Sequence, residues 1–265
     1  MKSRAQIIAT IGPSSEAPDV LCAMIGGGMD VARLNFAWLD VESGAKQIDA
    51  IRAAANTCGR GVPPIIADLP GPRVQQAHGH TYDAAAPTLL TPEDEAVIKL
   101  CADKKVEYIA LSFVGSAADV EAGRAAVAKY GGSQKIIAKI ERSVAVEHID
   151  EILAAADAVM VARGDLGNEV PLEEIPFIQK SIVDKANAAG KPVIVATQMM
   201  LSMTAAALPT RAEVTDVEAA ITDGADAVML SEESASGKFP TEAVAMMEKI
   251  IVAAERRENT PLHLL

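Results

Sequence analysis

Residues 139–167 read KIERSVAVEHIDEILAAADAVMVARGDLG. KIIAKI, which ends just before Glu141, and AVMVAR, which ends just before Gly164 and Asp165, are short apolar runs rich in β-formers, the pattern of strands buried on both faces. Between them, ERSVAVEHIDEILAAA carries Val144, Ile149, Ile152 and Leu153 at helical spacing. The segment therefore reads strand, helix, strand. Parallel strands joined in this way put Glu141 and Asp165 at neighbouring carboxyl-terminal tips, which is where α/β folds bind ligands. Two carboxylates at that spacing predict a divalent-cation site, and Lys139, two residues before Glu141, shares its strand face.

The same unit recurs along the chain. Strands are expected at 5–11, 29–35, 63–68, 106–113, 135–141, 157–163, 192–197 and 225–231, each followed by a helical pattern. Eight such units predict an α/β protein of one domain, residues 1–265, closed as a (β/α)₈ TIM barrel. Gly26-Gly27-Gly28, Gly190-Lys191-Pro192 and Asp223-Gly224 punctuate the ends of helices, and no low-complexity linker divides the chain.

Composition fits this reading and excludes others. Aromatic residues make up 3% of the 265, leaving aliphatic layers to fill the barrel. The net charge of −12, with no basic cluster, argues against a nucleic-acid partner. No run is long enough to span a membrane, and MKSRAQIIAT leads directly into a strand instead of forming a secretory signal. Cys22, Cys58 and Cys101 are odd in number and widely separated, so three reduced thiols and a cytoplasmic location are expected.

Beyond these patterns, KIERSVAVEHIDEIL, DAVMVARGDLGNEVP, GKPVIVATQMM and PTRAEVTDVEAAITDGADAVMLSEESA resemble the catalytic barrel of the pyruvate kinase family, as do AQIIATIGPSS and GMDVARLNF near the start. The resemblance implies that Glu141 and Asp165 bind Mg²⁺ or Mn²⁺, and that Lys139 stabilises an enolate oxygen. It implies that the backbone at Arg163-Gly164-Asp165 receives the carboxylate of a 2-oxo acid such as pyruvate. Thr197 would lie against the substrate methyl. Ser231 and Glu233 would relay a proton, although Glu232 and Ser234 depart from the family's SGET. Arg33 would contact a transferring phosphoryl group, or else pair with Asp68. Asn35 and Asp68 are what remains of a monovalent-cation site. The family's homo-oligomeric habit is expected to carry over.

The departures fall together. NFAWL stands where the family has NFSHG, and DLPGPRVQ where it has DTKGPEIR, so Ala37, Trp38, Leu69 and Gln75 replace groups that hold K⁺ or contact phosphate. No K⁺ site is therefore expected, with Arg73 a possible stand-in for the cation. Residues 71–90 are expected to form a short loop in place of the family's lid domain, with His78 and His80 as low-ranked acid, base or ligand candidates. Leu201 replaces a usual Glu without a mechanistic account. Asp216 and Glu218 are expected to be solvated or interfacial. Together these losses predict a metal-dependent lyase that forms a pyruvate enolate and adds or removes a second, unidentified substrate, as an aldolase or an oxaloacetate-type decarboxylase. The alternatives are a reduced pyruvate kinase and a barrel that binds a metabolite without catalysis.

Overall fold

The computed structural model describes residues 2–75 and 80–256, with no side-chain description at Gln75 and His80. Its strands are β1 (Gln6–Thr10), β2 (Met29–Asn35), β3 (Ile65–Asp68), β4 (Arg73–Gln75), β5 (His80–Tyr82), β6 (Tyr108–Leu111), β7 (Lys135–Ile140), β8 (Ala158–Ala162), β9 (Val193–Ala196) and β10 (Ala227–Leu230). Eight of these pair in parallel, in the order β1-β2-β3-β6-β7-β8-β9-β10, and β10 closes on β1. This is the expected (β/α)₈ barrel. Each barrel strand lies within the span expected for it, because continuous runs of buried aliphatics suit only strands covered on both faces.

Alternation along the strands divides the core in two. Ile8, Val31, Ile66, Ala110, Ile137, Met160, Ile194 and Met229 belong to a separate apolar cluster that fills the barrel. The residues between them, such as Ile7, Ala32, Ile65, Ile136 and Val159, face the surrounding helices. Two residues further along five of these strands, the inward position becomes polar: Thr10, Arg33, Asp68, Ser112 and Lys139. The barrel is thus plugged by hydrocarbon below and carries charge at its carboxyl-terminal mouth.

Three local readings need correction. The segment after Glu141 is not one helix but two, Ser143–Glu147 and Ile149–Ala155, and they meet at His148, whose Nδ1 lies 3.0 Å from the Gly115 carbonyl oxygen. The 71–90 connection is not a plain loop. Within it β4 and β5 pair antiparallel, Arg73 with Tyr82, Val74 with Thr81 and Gln75 with His80. The Tyr82 ring packs 5.6 Å from that of Phe113, and the Arg142 guanidinium stacks 3.8 Å above Tyr82, so the hairpin is held against the tips of β6 and β7.

The third correction concerns the thiols. Cys22 lies on the helix Pro18–Gly27 and Cys58 caps the helix Val41–Thr57, and the two are joined as a disulfide with Cα atoms 5.8 Å apart. Helices on either side of β2 are neighbours in a barrel, which is what brings together cysteines separated by 36 positions. Cys101 remains a free thiol, pushed up to about 12 by burial. Among the described residues, no helix is long and apolar enough to cross a membrane.

Candidate active site

The mouth is organised around Lys139, which is 6% exposed. Its ammonium donates to Asp68 Oδ1 at 2.9 Å and to Ser112 Oγ at 2.7 Å, and it lies 2.8 Å from Glu141 Oε1. Asp68 is also held from the other side, with Arg33 Nε donating to its Oδ2 at 2.7 Å. Arg33 Nη1 in turn donates to Thr10 Oγ1 at 2.9 Å. The pairing of Arg33 with Asp68, one of the two readings of that arginine, is therefore present. Strand register accounts for the cluster, since β2 pairs with β3, β3 with β6 and β6 with β7, placing their inward tips side by side.

Electrostatics follow from burial and partners. Burial opposes ionisation of Asp68, but Arg33 and Lys139 outweigh it and hold the carboxyl below its ordinary value. For Lys139, burial disfavours the ammonium, yet Asp68 and Glu141 push its pKa above the usual lysine value. Glu141 moves up, first because it is buried and then because the Asp165 carboxylate repels its charge, with Lys139 only partly offsetting this. A buried carboxylate repelled by a second one nearby forms a ready place for a cation.

Glu141 is also positioned by backbone. Phe113, in the left-handed region at φ 59°, turns its N–H onto Glu141 Oε2 at 2.7 Å. Asp165 sits half-buried in the short helix Arg163–Leu166 at the tip of β8. Among the described residues there is no group of three or more His, Cys, Asp or Glu side chains arranged to hold a metal. The two carboxylates expected to act as donors, Glu141 and Asp165, stand at the tips of the neighbouring strands β7 and β8. Such hard oxygens fit Mg²⁺ or Mn²⁺, with the remaining positions left to water or substrate oxygens.

The loops after β8, β9 and β10 bring the other expected residues to the same end of the barrel. Gly164 N–H donates to Thr197 Oγ1 at 2.7 Å, and Thr197 and Gln198 both adopt positive φ, at 72° and 54°. Non-glycine residues held there mark a backbone constrained by its surroundings. Arg163 ties the β9 tip to the helix Arg211–Thr222: its guanidinium donates to both Asp216 oxygens at 2.7 Å and to the Thr197 carbonyl at 2.8 Å. Asp216, expected to be solvated or interfacial, keeps a side chain 36% exposed while pairing with Arg163. Glu233 is fully buried, accepting from Ser231 N at 2.7 Å and Met200 N at 3.0 Å, and burial raises its pKa. The neighbouring Ser231 hydroxyl is buried and has no hydrogen-bond partner among the described residues.

The lower-ranked candidates fare differently. Arg73 is half-buried, with Nε donating to the Pro70 carbonyl at 2.8 Å, and it feels the charges of Asp68, Glu141, Asp165 and Asp94. His78 lies outside the described residues, and for His80 only its backbone place in β5 is described. Asn35 Oδ1 accepts from Ala37 N at 3.1 Å, shaping the turn that leaves Trp38 79% exposed at the mouth. Sequence reasoning missed Ser112 and the Phe113 amide. The period of two that runs from Ile66 to Asp68 also runs from Ala110 to Ser112, and was the available signal.

Fold and site together define a closed (β/α)₈ barrel with a charged, carboxylate-bearing cluster at its carboxyl-terminal mouth. The family profile described as pyruvate kinase, barrel domain, matches residues 2–87 and 81–244, two segments that overlap over 81–87, at the end of the hairpin. The chain is 36% identical to a pyruvate kinase of Thermococcus litoralis, covering 95% of this chain and 70% of that protein. It is 33% identical to a pyruvate kinase of Mycobacterium tuberculosis (98% and 72%) and 36% identical to one of Geobacillus stearothermophilus (97% and 58%). The chain belongs to the pyruvate kinase family.

Proposed function

We propose that this barrel works on phosphoenolpyruvate and pyruvate, moving a phosphoryl group between the enolate oxygen and a nucleoside diphosphate, with the Arg73 guanidinium standing in for a bound monovalent cation. The observation that carries this reading is the cluster of Arg33, Asp68, Lys139 and Glu141 at the mouth, with the Arg73 guanidinium 5.8 Å from the ring of Phe113, whose amide holds Glu141. A fixed cation there supplies positive charge that Ala37 and Leu69, which lack side-chain oxygens, cannot recruit as K⁺. Phosphoryl transfer depends chiefly on positioning and charge neutralisation, so an internal guanidinium serves the same end. The names of the relatives support the kinase over the lyase expected from the departures alone.

In this reading the P–O bond of phosphoenolpyruvate breaks, the phosphoryl group joins an oxygen of the terminal phosphate of the diphosphate, and the enolate takes a proton at C3. Glu141 and Asp165 would hold Mg²⁺ or Mn²⁺, which when bound neutralises charge on the substrate oxygens. Lys139 donates to the enolate oxygen as negative charge develops, and Arg33 faces the phosphoryl oxygens. The Gly164 amide receives the carboxylate, and Thr197 passes the proton to or from C3, with Ser231 and Glu233 behind it.

The lyase reading shares the enolate half and is kept as the second, on one observation. Leu69 is a buried hydrocarbon side chain where the family has a cation-binding threonine, which weakens the phosphate end only. A coupled assay for pyruvate from phosphoenolpyruvate and ADP, run beside proton NMR of pyruvate methyl exchange in D₂O with Mg²⁺, separates the possibilities. Kinase turnover establishes the first reading, and methyl exchange without it establishes the lyase-type site. Metal-dependent oxalate binding with neither activity leaves a metabolite-binding barrel.

A further inference from the structure

Ser112 has no role in the readings above, yet it is 2% exposed and lies at the centre of the charged cluster. It follows β6, one residue before Phe113, whose amide holds Glu141. Ser112 Oγ donates to the Leu69 carbonyl at 2.7 Å and accepts from Lys139 Nζ at 2.7 Å. The two bonds define each other. A hydroxyl has one proton, and because it is committed to Leu69 the oxygen can only accept from Lys139. The contact therefore favours the ammonium form and fixes its direction.

Packing fixes the hydroxyl as well. Gly71 lies at φ +64°, and a Cβ there would come 3.0 Å from Ser112 Cβ and 3.1 Å from Phe113 Cδ2. The turn leaving β3 is thus pressed against Ser112, and the Gly71 N–H is anchored on Asp94 Oδ1 at 3.0 Å. Two of the three hydrogens of Lys139 are directed at Asp68 and Ser112, with Glu141 Oε1 2.8 Å away, so these two bonds set the orientation of the ammonium and an oxygen arriving beside Glu141 meets the third. Asp68 is shared with Arg33 and Glu141 belongs to the carboxylate pair, so Ser112 is the one neutral partner that makes no demand on either site.

We infer that Ser112 is a positioning residue that aims the Lys139 ammonium at the substrate oxygen and ties that aim to the turn leading into the β4–β5 hairpin. This rests on the proposed enolate chemistry at Lys139. A lysine displaced by about 1 Å loses on the order of 100-fold in rate, because the charge it must meet appears only in the transition state. Ser112 touches no reacting atom, so its loss should appear in kcat and not in KM.

The test measures pyruvate methyl exchange in D₂O with Mg²⁺, together with thermal melting, for the parent and for Ser112→Ala, Ser112→Cys and Ser112→Thr. Cysteine preserves packing but accepts poorly from an ammonium, whereas threonine keeps the hydroxyl. Expected are kcat losses of roughly 10- to 100-fold for alanine and cysteine with KM within about threefold, and substantial recovery with threonine. Parent-like kcat in alanine and cysteine, or equal losses in all three variants, would overturn the role. A parent that exchanges no methyl protons and transfers no phosphate instead brings down the functional reading, and this role with it.

Discussion

The Gly164 backbone N–H donates to the Thr197 hydroxyl oxygen at 2.7 Å, so in the free chain the amide proposed to receive a substrate carboxylate is already satisfied by the residue proposed to move the proton. Binding must exchange one partner for the other. Thr197→Val, which keeps the branched shape at φ 72°, removes the competing acceptor. We expect tighter Mg²⁺-dependent oxalate binding by calorimetry, by about 1 kcal/mol or roughly fivefold. Methyl exchange should fall by on the order of 10² to 10⁴. Weaker binding in this variant would show that Thr197 helps hold the carboxylate instead of competing with it.

Asp68 is 1% exposed and is the shared counter-ion of Arg33 and Lys139. Its folded carboxyl titrates below the unfolded one, despite burial, because those two cations face it. Folding therefore favours the ionised form. That stabilisation is complete above the unfolded value of about 3.9 and is lost as pH falls through the lower folded value. Asp68→Asn leaves two buried cations short of a partner, at a cost of roughly 3–5 kcal/mol near neutrality. Thermal melts from pH 7 downward should show this variant less stable throughout the neutral range, with the difference shrinking in acid. A gap that instead widens below about pH 4 would contradict the assignment.

Arg73 as a fixed cation has a direct consequence for ion dependence. Activity of the parent should be the same in K⁺ and in tetramethylammonium salts at matched ionic strength. Arg73→Ala should lower phosphoryl transfer by about two orders of magnitude, a cost of roughly 3 kcal/mol. Added K⁺ should not restore it, because Ala37 and Leu69 offer no side-chain oxygens to complete a site. Stimulation of the parent by K⁺ would refute the substitution of one cation for the other.

The disulfide between Cys22 and Cys58 closes a loop with a separation of 36 residues, and its removal should cost up to about 4 kcal/mol on the chain-entropy account. For a chain of this size that corresponds to a fall in Tm of roughly 8–15 °C. Dithiothreitol and Cys58→Ser should each produce this fall, and dithiothreitol should add nothing to the variant. Equal melting temperatures with and without reductant would mean the two sulfurs are not bonded in solution.

The sequence revealed most where one strong pattern acts alone. Runs such as AVMVA in β8 leave no alternative to a strand buried on both faces, and the tips of those strands then place Lys139, Glu141 and Asp165 without further information. The hairpin stayed hidden because RVQ and HTY are short, half-polar runs that owe their strand form to Tyr82 docking on Phe113 and Arg142. The Arg163–Asp216 pair joins the short helix after β8 to the helix Arg211–Thr222, 53 positions apart, a contact fixed by barrel closure and not by local pattern. Ser112 was missed for a simpler reason. A serine ending an apolar run reads as the start of a loop, and only extending the inward period by one step shows it facing Lys139.

Glu141 allows the metal reading to be tested without any assay of turnover. It is 2% exposed, and burial together with the Asp165 charge raises its proton affinity against the pull of Lys139. Glu141→Gln removes that repulsion while leaving Lys139 its bonds to Asp68 and Ser112. The variant should therefore melt within a few degrees of the metal-free parent. A divalent cation at 100 times its dissociation constant stabilises a folded protein by about 2.7 kcal/mol, or roughly 5–10 °C here. The parent should gain that stabilisation with Mn²⁺ and oxalate, and Glu141→Gln should gain almost none. An equal upward shift in both proteins would place the cation elsewhere and remove the carboxylate pair from the mechanism.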